Sequence, residues 1–341
     1  MKRLPVFQKM LSICVSTILL SGCSNAETST PGVTSMVGQS RALQQVFDVA
    51  PRSDVPLESA HAESSWIAPD AASQDLLYVL DNTNVNVYSY PHGKLEGTLR
   101  HFYLAEDACV DKKGNVLIVN LGLDRIFEYA HAGTKRIKNI DVPTGAVGCS
   151  IDPTSGDLAV AGSTSPSNGG VAIFKKAQGK PKYYADPGFY EYYFCGYDDK
   201  GNLFVDGQSS AGSGHVVLAE LPKRGNALQT ISMNQTIEWP GEVQWDGKHL
   251  AIQDQTVPVI YQFEVNGSQA MKVGATNLDG AGELHQMWIQ DRTVILPNIC
   301  GTSCDYSDVL FYKYPAGGKA NKEVKKHVRG PLGVVVSLAP K

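Results

Sequence analysis

From residue 61 onward one hydrophobic–polar figure recurs along the chain. An apolar segment is followed by an Asp, a turn that contains Gly in four of the six instances, and a β-branched run. The instances are Asp70 before Leu76 to Leu80, Asp111-Lys112-Lys113-Gly114-Asn115 before Val116 to Val119, and Asp152 to Asp157 before Leu158-Ala159-Val160. Asp198-Asp199-Lys200-Gly201-Asn202 then precedes Leu203-Phe204-Val205, Asp246-Gly247-Lys248-His249 precedes Leu250-Ala251-Ile252, and Asp291 precedes Thr293 to Leu296. The Asp residues stand 41, 41, 46, 48 and 45 positions apart. Short β-branched runs between turn signals read as strands. Asp accepts hydrogen bonds from turn N–H groups and Gly takes the positive φ, so these residues are expected as hairpin turns rather than metal ligands.

Each repeat continues into a third strand rich in aromatics, as in Val85 to Tyr90, Arg125 to Tyr129 and Val309 to Tyr314. A second Gly turn and a more polar fourth strand follow, suited to a solvent-facing edge. Four strands per unit with a period near 45 predict an all-β fold, a β-propeller of six four-stranded blades over residues 61–338. The last segment, Gly330 to Ser337, is expected to pair with the first strands and close the ring. Seven blades with one incomplete stay open as the alternative.

The N-terminus carries a different pattern. Lys2, Arg3 and Lys9 precede the apolar run Met10 to Leu20. That run is too short for a bilayer span of about 20 residues and suits a secretory signal. It ends in Leu20-Ser21-Gly22-Cys23, which resembles the bacterial lipoprotein lipobox. The resemblance implies a signal peptide over 1–22, lipidation at Cys23 and attachment to a membrane through acyl chains. Residues 23–60, rich in Ser, Thr, Ala and Pro, read as a flexible tether. The expected location is the bacterial cell envelope, on the periplasmic or outer-surface side. Loss of the signal removes three cations and no anion, moving the net charge from −4 to −7. An acidic chain repels phosphate polymers, so nucleic acid is not an expected partner. A monomer is expected.

The repeats resemble the NHL and gluconolactonase/streptogramin-lyase group of six-bladed propellers, and bacterial lipoproteins of unassigned function that carry such repeats. That group includes lactonases, lyases and binding scaffolds. The first expectation is therefore a lipid-anchored extracytoplasmic propeller that binds a small molecule or a protein through its loop-rich face. It requires no catalysis. The alternative is a divalent-metal-dependent lactonase or lyase at the channel mouth, with Ca²⁺ or another divalent cation.

The mouth formed by loops entering the inner strands supplies the candidate ligand-binding residues Glu106, Asp107, Glu191, Tyr192, Glu242 and His285. Asn120, Asp206 and Asp254, at the ends of second strands, are candidate metal ligands, because Ca²⁺ favours oxygen donors. His285 beside Glu283 is the candidate acid–base pair. An oxidising compartment allows disulfides. Cys300 and Cys304 are one candidate pair. Cys149 and Cys195, each three residues before a turn Asp, are the other, with buried free thiols as the alternative. Cys109 sits two residues before Asp111 and is expected to face the other way, as core. Trp66, Trp239, Trp245 and Trp288 are expected on or near inner strands.

Overall fold

The computed structural model describes residues 64–142, 145–162, 169–210, 215–282, 284–299 and 307–340. The signal segment, Cys23, the tether, Glu283, Cys300 and Cys304 lie outside the described residues.

The recurrent Asp residues build their turns as the sequence implies. Asp111 Oδ1 accepts the N–H groups of Lys113 and Asn115 at 2.8 and 2.9 Å. Asp198 Oδ1 accepts those of Lys200 and Asn202 at 2.9 and 2.8 Å. Gly114 and Gly201 take φ of +79° and +87°, where a side chain would be strained. Asp291 departs from the pattern in taking the positive φ itself, at +54°, and Asp70 departs altogether. Asp70 lies in the 3-10 turn Pro69–Ser73, because the strand before it is not an inner one. Trp66–Ile67 pairs with the outer strand Leu95–Arg100, so Trp66 sits at a sheet edge, 45% exposed, and not on an inner strand.

The described strands form five hydrogen-bonded sheets in a propeller-like, all-β arrangement. Sheet A runs from the inner strand Gly333–Ser337 through Leu76–Leu80, Asn84–Ser89 and Leu95–Arg100 to Trp66–Ile67. Sheet B contains Ala105–Val110, Val116–Asn120, Arg125–Tyr129 and Arg136–Asp141. Sheet C contains Ala146–Ile151, Leu158–Gly162, Gly170–Phe174 and Lys182–Tyr184. Sheet D holds two antiparallel runs, one starting at Glu191–Tyr197 and the other at Pro240–Trp245. Their outer strands, Gln229–Met233 and Gln269–Asp279, meet in a short parallel pairing. Sheet E contains Trp288–Gln290, Thr293–Ile299, Ser307–Lys313 and Lys322–Val324.

The C-terminal segment closes the circuit. Leu76 to Leu80 pair with Ser337 to Gly333 in antiparallel register. The segment takes the inner position of sheet A and starts no sheet of its own. The seam is pinned by Ser337 Oγ, which donates to Gly114 O at 2.7 Å and meets His131 Nδ1 at 2.7 Å.

Apolar side chains fill the gaps between consecutive runs. Tyr78 and Val87 of sheet A pack with Ile118 and Phe127 of sheet B. Leu117 and Val119 of sheet B pack with Leu158 and Val160 of sheet C. The series ends with Ile295 and Phe311 of sheet E against Leu77 and Val79 of sheet A. Inner strands approach each other closely at the axis. A Cβ on Gly196 would collide with the Val243 carbonyl, so only Gly fits there.

The cysteines correct the expectation. Cys109 and Cys149 form a disulfide, with Cα atoms 5.8 Å apart, while Cys195 is a buried free thiol. Cys149 and Cys195 occupy equivalent registers, opposite Val160 and Val205. Equivalent positions in a rotational repeat point the same way round the ring, so neither faces the other. Cys109, opposite Leu117, is one register step nearer its turn than Cys149 is. Side chains alternate along a strand. The one-step offset that argued against Cys109 therefore aims it at Cys149, and both lie in the apolar gap between sheets B and C.

Candidate functional site

The inner strands run along the axis, and their two ends differ. At the mouth end, where the chain enters each inner strand, the pairing is interrupted. Register shifts fall at Ala105/Ala108, Tyr192/Cys195 and Pro240/Val243. Such bulges re-aim side chains, and they carry Glu106, Asp107 and Glu242. Asp107 is fully buried. Its Oδ2 accepts the Cys149 N–H of the neighbouring inner strand at 2.6 Å, and its Oδ1 accepts the Ala108 N–H at 2.7 Å. Asp206 Oδ1 accepts the Phe194 N–H at 2.9 Å. Gln286 joins the inner strand of Asp107 to the C-terminal inner strand. Its Nε2 donates to Ala108 O at 3.0 Å and its Oε1 accepts the Val334 N–H at 2.9 Å. These groups stitch the ring together.

Burial dominates the ionisation of this layer. It pushes Glu106 up to about 7. It also pushes Asp107 up to about 7, against two N–H donors that favour the charged form. Glu242 and Asp206 are held well above the usual carboxylate range, Glu242 by burial and then by the charges of Asp107 and Asp206. His285 is pushed down to about 4 by burial, with Nδ1 3.9 Å from Glu106 Oε1. Between these values both members are neutral, so the contact is not an ion pair in that range. His285 is a buried neutral ring beside Glu106.

The other predicted mouth residues are spent locally. Asp254 accepts the N–H groups of Glu238 and Thr256 at 2.8 and 3.0 Å and the Thr256 hydroxyl at 2.9 Å. Asn120 Oδ1 accepts the Tyr103 N–H at 3.0 Å. Glu191 accepts the Tyr193 hydroxyl at 2.9 Å. Tyr192 stacks on Phe189 at 4.5 Å and its hydroxyl bonds to the Asp186 backbone. Asp107, Asp206 and Glu242 do lie within electrostatic reach of one another. Among the described residues, however, no three His, Cys, Asp or Glu side chains are placed to hold a metal ion. Two of the candidate metal ligands, Asp254 and the Asn120 carbonyl, accept loop N–H groups.

A cavity of about 670 Å³ lies on the axis and opens at the opposite end, beside the Asp turns. Its deep wall contains Ala108, Cys195, Glu242 and Gln286, and its sides contain Tyr197, Trp245 and Trp288. Exposed Lys112, Asp199 and Asp291 stand at its rim. The volume falls in the usual range for small-molecule sites, roughly 300–1,000 Å³. Of the predicted ligand-binding residues, only Glu242 lines it. Reading the chain for acidic loops missed Tyr197, Trp245 and Trp288. The available signal was an aromatic directly before the turn Asp, as in Tyr197-Asp198 and Trp245-Asp246.

No protein-family model matches the chain, and no curated protein matches it. Solved structures do. A protein of unknown function from Bacteroides caccae aligns with a TM-score of 0.58 at 13% identity, covering 78% of this chain and 99% of that one. A chain of a nidogen/laminin complex aligns with a TM-score of 0.63 at 12% identity, again covering 78% and 99%. At such identities the likeness shows the fold alone, and the fold is a β-propeller.

Proposed function

We propose that the chain is a lipid-anchored, extracytoplasmic binding propeller of six blades, similar to NHL-repeat lipoproteins, whose axial cavity takes a small-molecule ligand. The blade count follows from taking the two runs of sheet D as separate blades, since each has its own inner strand and Asp turn. The observation that carries the binding reading is the axial cavity of about 670 Å³ walled by Tyr197, Trp245 and Trp288. This reading takes the turn face, where the cavity opens, in place of the loop-rich face expected from sequence. Lipid attachment rests on the Leu20-Ser21-Gly22-Cys23 motif.

Two experiments test this. A ligand that binds only the native state raises its stability. Thermal melting of the full chain against amines, alcohols, sugars and carboxylates is expected to yield at least one stabilising class that also alters tryptophan fluorescence. The absence of any such class would remove the binding reading. Cys23→Ala is expected to release the protein from membranes, and unchanged fractionation would defeat the lipid anchor.

A further inference from the structure

The deep wall of the cavity carries an incomplete interaction. Glu242 is only 6% exposed and lines the cavity; its carboxyl is bonded to the Val243 N–H and to Gln286, while one oxygen, Oε2, is itself buried and without a hydrogen-bond partner. A buried polar atom without a partner costs about 1–3 kcal/mol, more if charged. Asp107 and Asp206 act on Glu242 from the inner strand of sheet B and from sheet D. No Lys or Arg among the described residues pairs with any of the three. The free thiol of Cys195 is also in this wall, and Asp199 and Asp291 add exposed acids at the rim. Lys112 is the opposing charge there.

We propose that this cavity receives a protonated amine carried on an apolar or aromatic body. The ammonium N–H groups meet the Glu242 carboxyl in the cavity wall, and the body packs among Tyr197, Trp245 and Trp288. Aromatic faces attract cations, and an acidic rim draws them in. Three other ligand chemistries fit less well. An anion would enter against carboxyl groups with a single rim lysine in its favour. Calcium takes six to eight oxygen ligands, and the described residues assemble no such set. A hydroxyl-rich ligand needs many polar partners, yet apart from Glu242 Oε2 and Trp245 Nε1 most of those of the wall are already engaged. Gln244 is bonded to both backbone groups of Ile289, Gln286 to Ala108 and Val334, and Ser150 to the Tyr197 N–H. Asp246 is bonded to Lys248, His249 and Tyr314.

The assignment rests on the binding cavity proposed above and adds a proton balance. With the cavity empty, burial and then the charges of Asp107 and Asp206 favour the protonated form of Glu242. An incoming ammonium keeps its charge, Glu242 becomes a carboxylate, and the proton leaves to solvent. Glu106 and His285 sit beyond Asp107 in the same layer and set the background against which this proton is counted.

Titration calorimetry of the full chain with 2-phenylethylammonium, 2-phenylethanol and 3-phenylpropanoate, in buffers of different ionisation enthalpy, tests the proposal. The amine is expected to bind at least about tenfold more tightly than the alcohol, with net proton release and tighter binding as pH rises. Glu242→Gln is expected to abolish proton release and weaken the amine about tenfold or more while leaving the alcohol unchanged. If the alcohol or carboxylate equals the amine, or if amine binding releases no proton, the cation assignment fails while the cavity remains a binding site. If none of the three binds and no other class stabilises the protein, both readings fail. Should Glu242→Gln not fold, proton release by the unaltered chain decides alone.

Discussion

Asp107 and Glu242 are both buried acids at bulged inner strands near the axis. They occupy different chemical situations. Asp107 receives the Cys149 and Ala108 N–H groups at 2.6 and 2.7 Å and ties one inner strand to the next. Glu242 bonds the Val243 N–H and Gln286, keeps one buried oxygen without a partner and lies in the wall of an open volume. A buried carboxyl that satisfies its neighbours' backbone is part of the scaffold. One that faces a cavity unsatisfied is available to a ligand. The same contrast separates the two ends of the channel. The mouth end is stitched, whereas the turn end is open and aromatic.

The comparison can be broken experimentally, beginning with the wall between sheets B and C. Cys109→Ala with Cys149→Ala removes a link across a sequence separation of 40, and chain entropy puts the loss at about 4 kcal/mol. Chemical denaturation measures it, and no change on reduction would show that the bridge does not constrain the ring. Next comes the pH dependence of the stitched end. Glu106 is raised from 4.5 to about 7 when folded. The folded state then binds more protons than the unfolded state between those values. Its contribution to stability is complete below the unfolded value and is lost as pH rises through about 7. Glu106→Gln is expected to remove a decline of about 3 kcal/mol from denaturation curves taken across this range. His285, lowered from 6.5 to about 4, acts in the opposite sense. The unfolded chain binds its proton first, so its contribution to stability falls as pH drops from 6.5 toward 4. His285→Gln should therefore steepen the net decline with rising pH, and a flatter curve would contradict the assignment.

Smaller effects separate the turn end. Asp111→Ala removes three turn hydrogen bonds, from the Lys113 and Asn115 N–H groups and Asn115 Nδ2, and is expected to cost about 1 kcal/mol, read as a shift in denaturation midpoint. Asp199→Ala and Asp291→Ala touch only rim carboxylates, and each should stay within about 0.5 kcal/mol of the parent. A larger loss would mean that the rim is structural.

Much of the fold was legible in the chain because its signals are local. Asp111, Asp152, Asp198 and Asp246 engage N–H groups two to four residues away, a relation visible in a line of sequence. Asp254 is equally local, and its turn role is legible for the same reason. The site was less legible. Glu106, Asp107 and Glu242 were singled out as mouth acids, but which is spent and which is free depends on groups contributed by other sheets. Gln286, joined to Ala108 across a sequence separation of 178, left no local trace.

Strand order, turn chemistry and the repeat near 45 residues were set by contacts a few residues apart, and so was the prospect of closure by Val334-Val335-Val336. Facing relations were set by the ring. Rotation by one blade maps Cys149 onto Cys195 and keeps their directions the same, so the bridge forms with the offset Cys109 instead. Bulges then turn Glu242 out of the strand alternation toward the axis. Propensity and spacing act along the chain, whereas pairing, burial and an unsatisfied oxygen depend on what the neighbouring sheets bring to the same point.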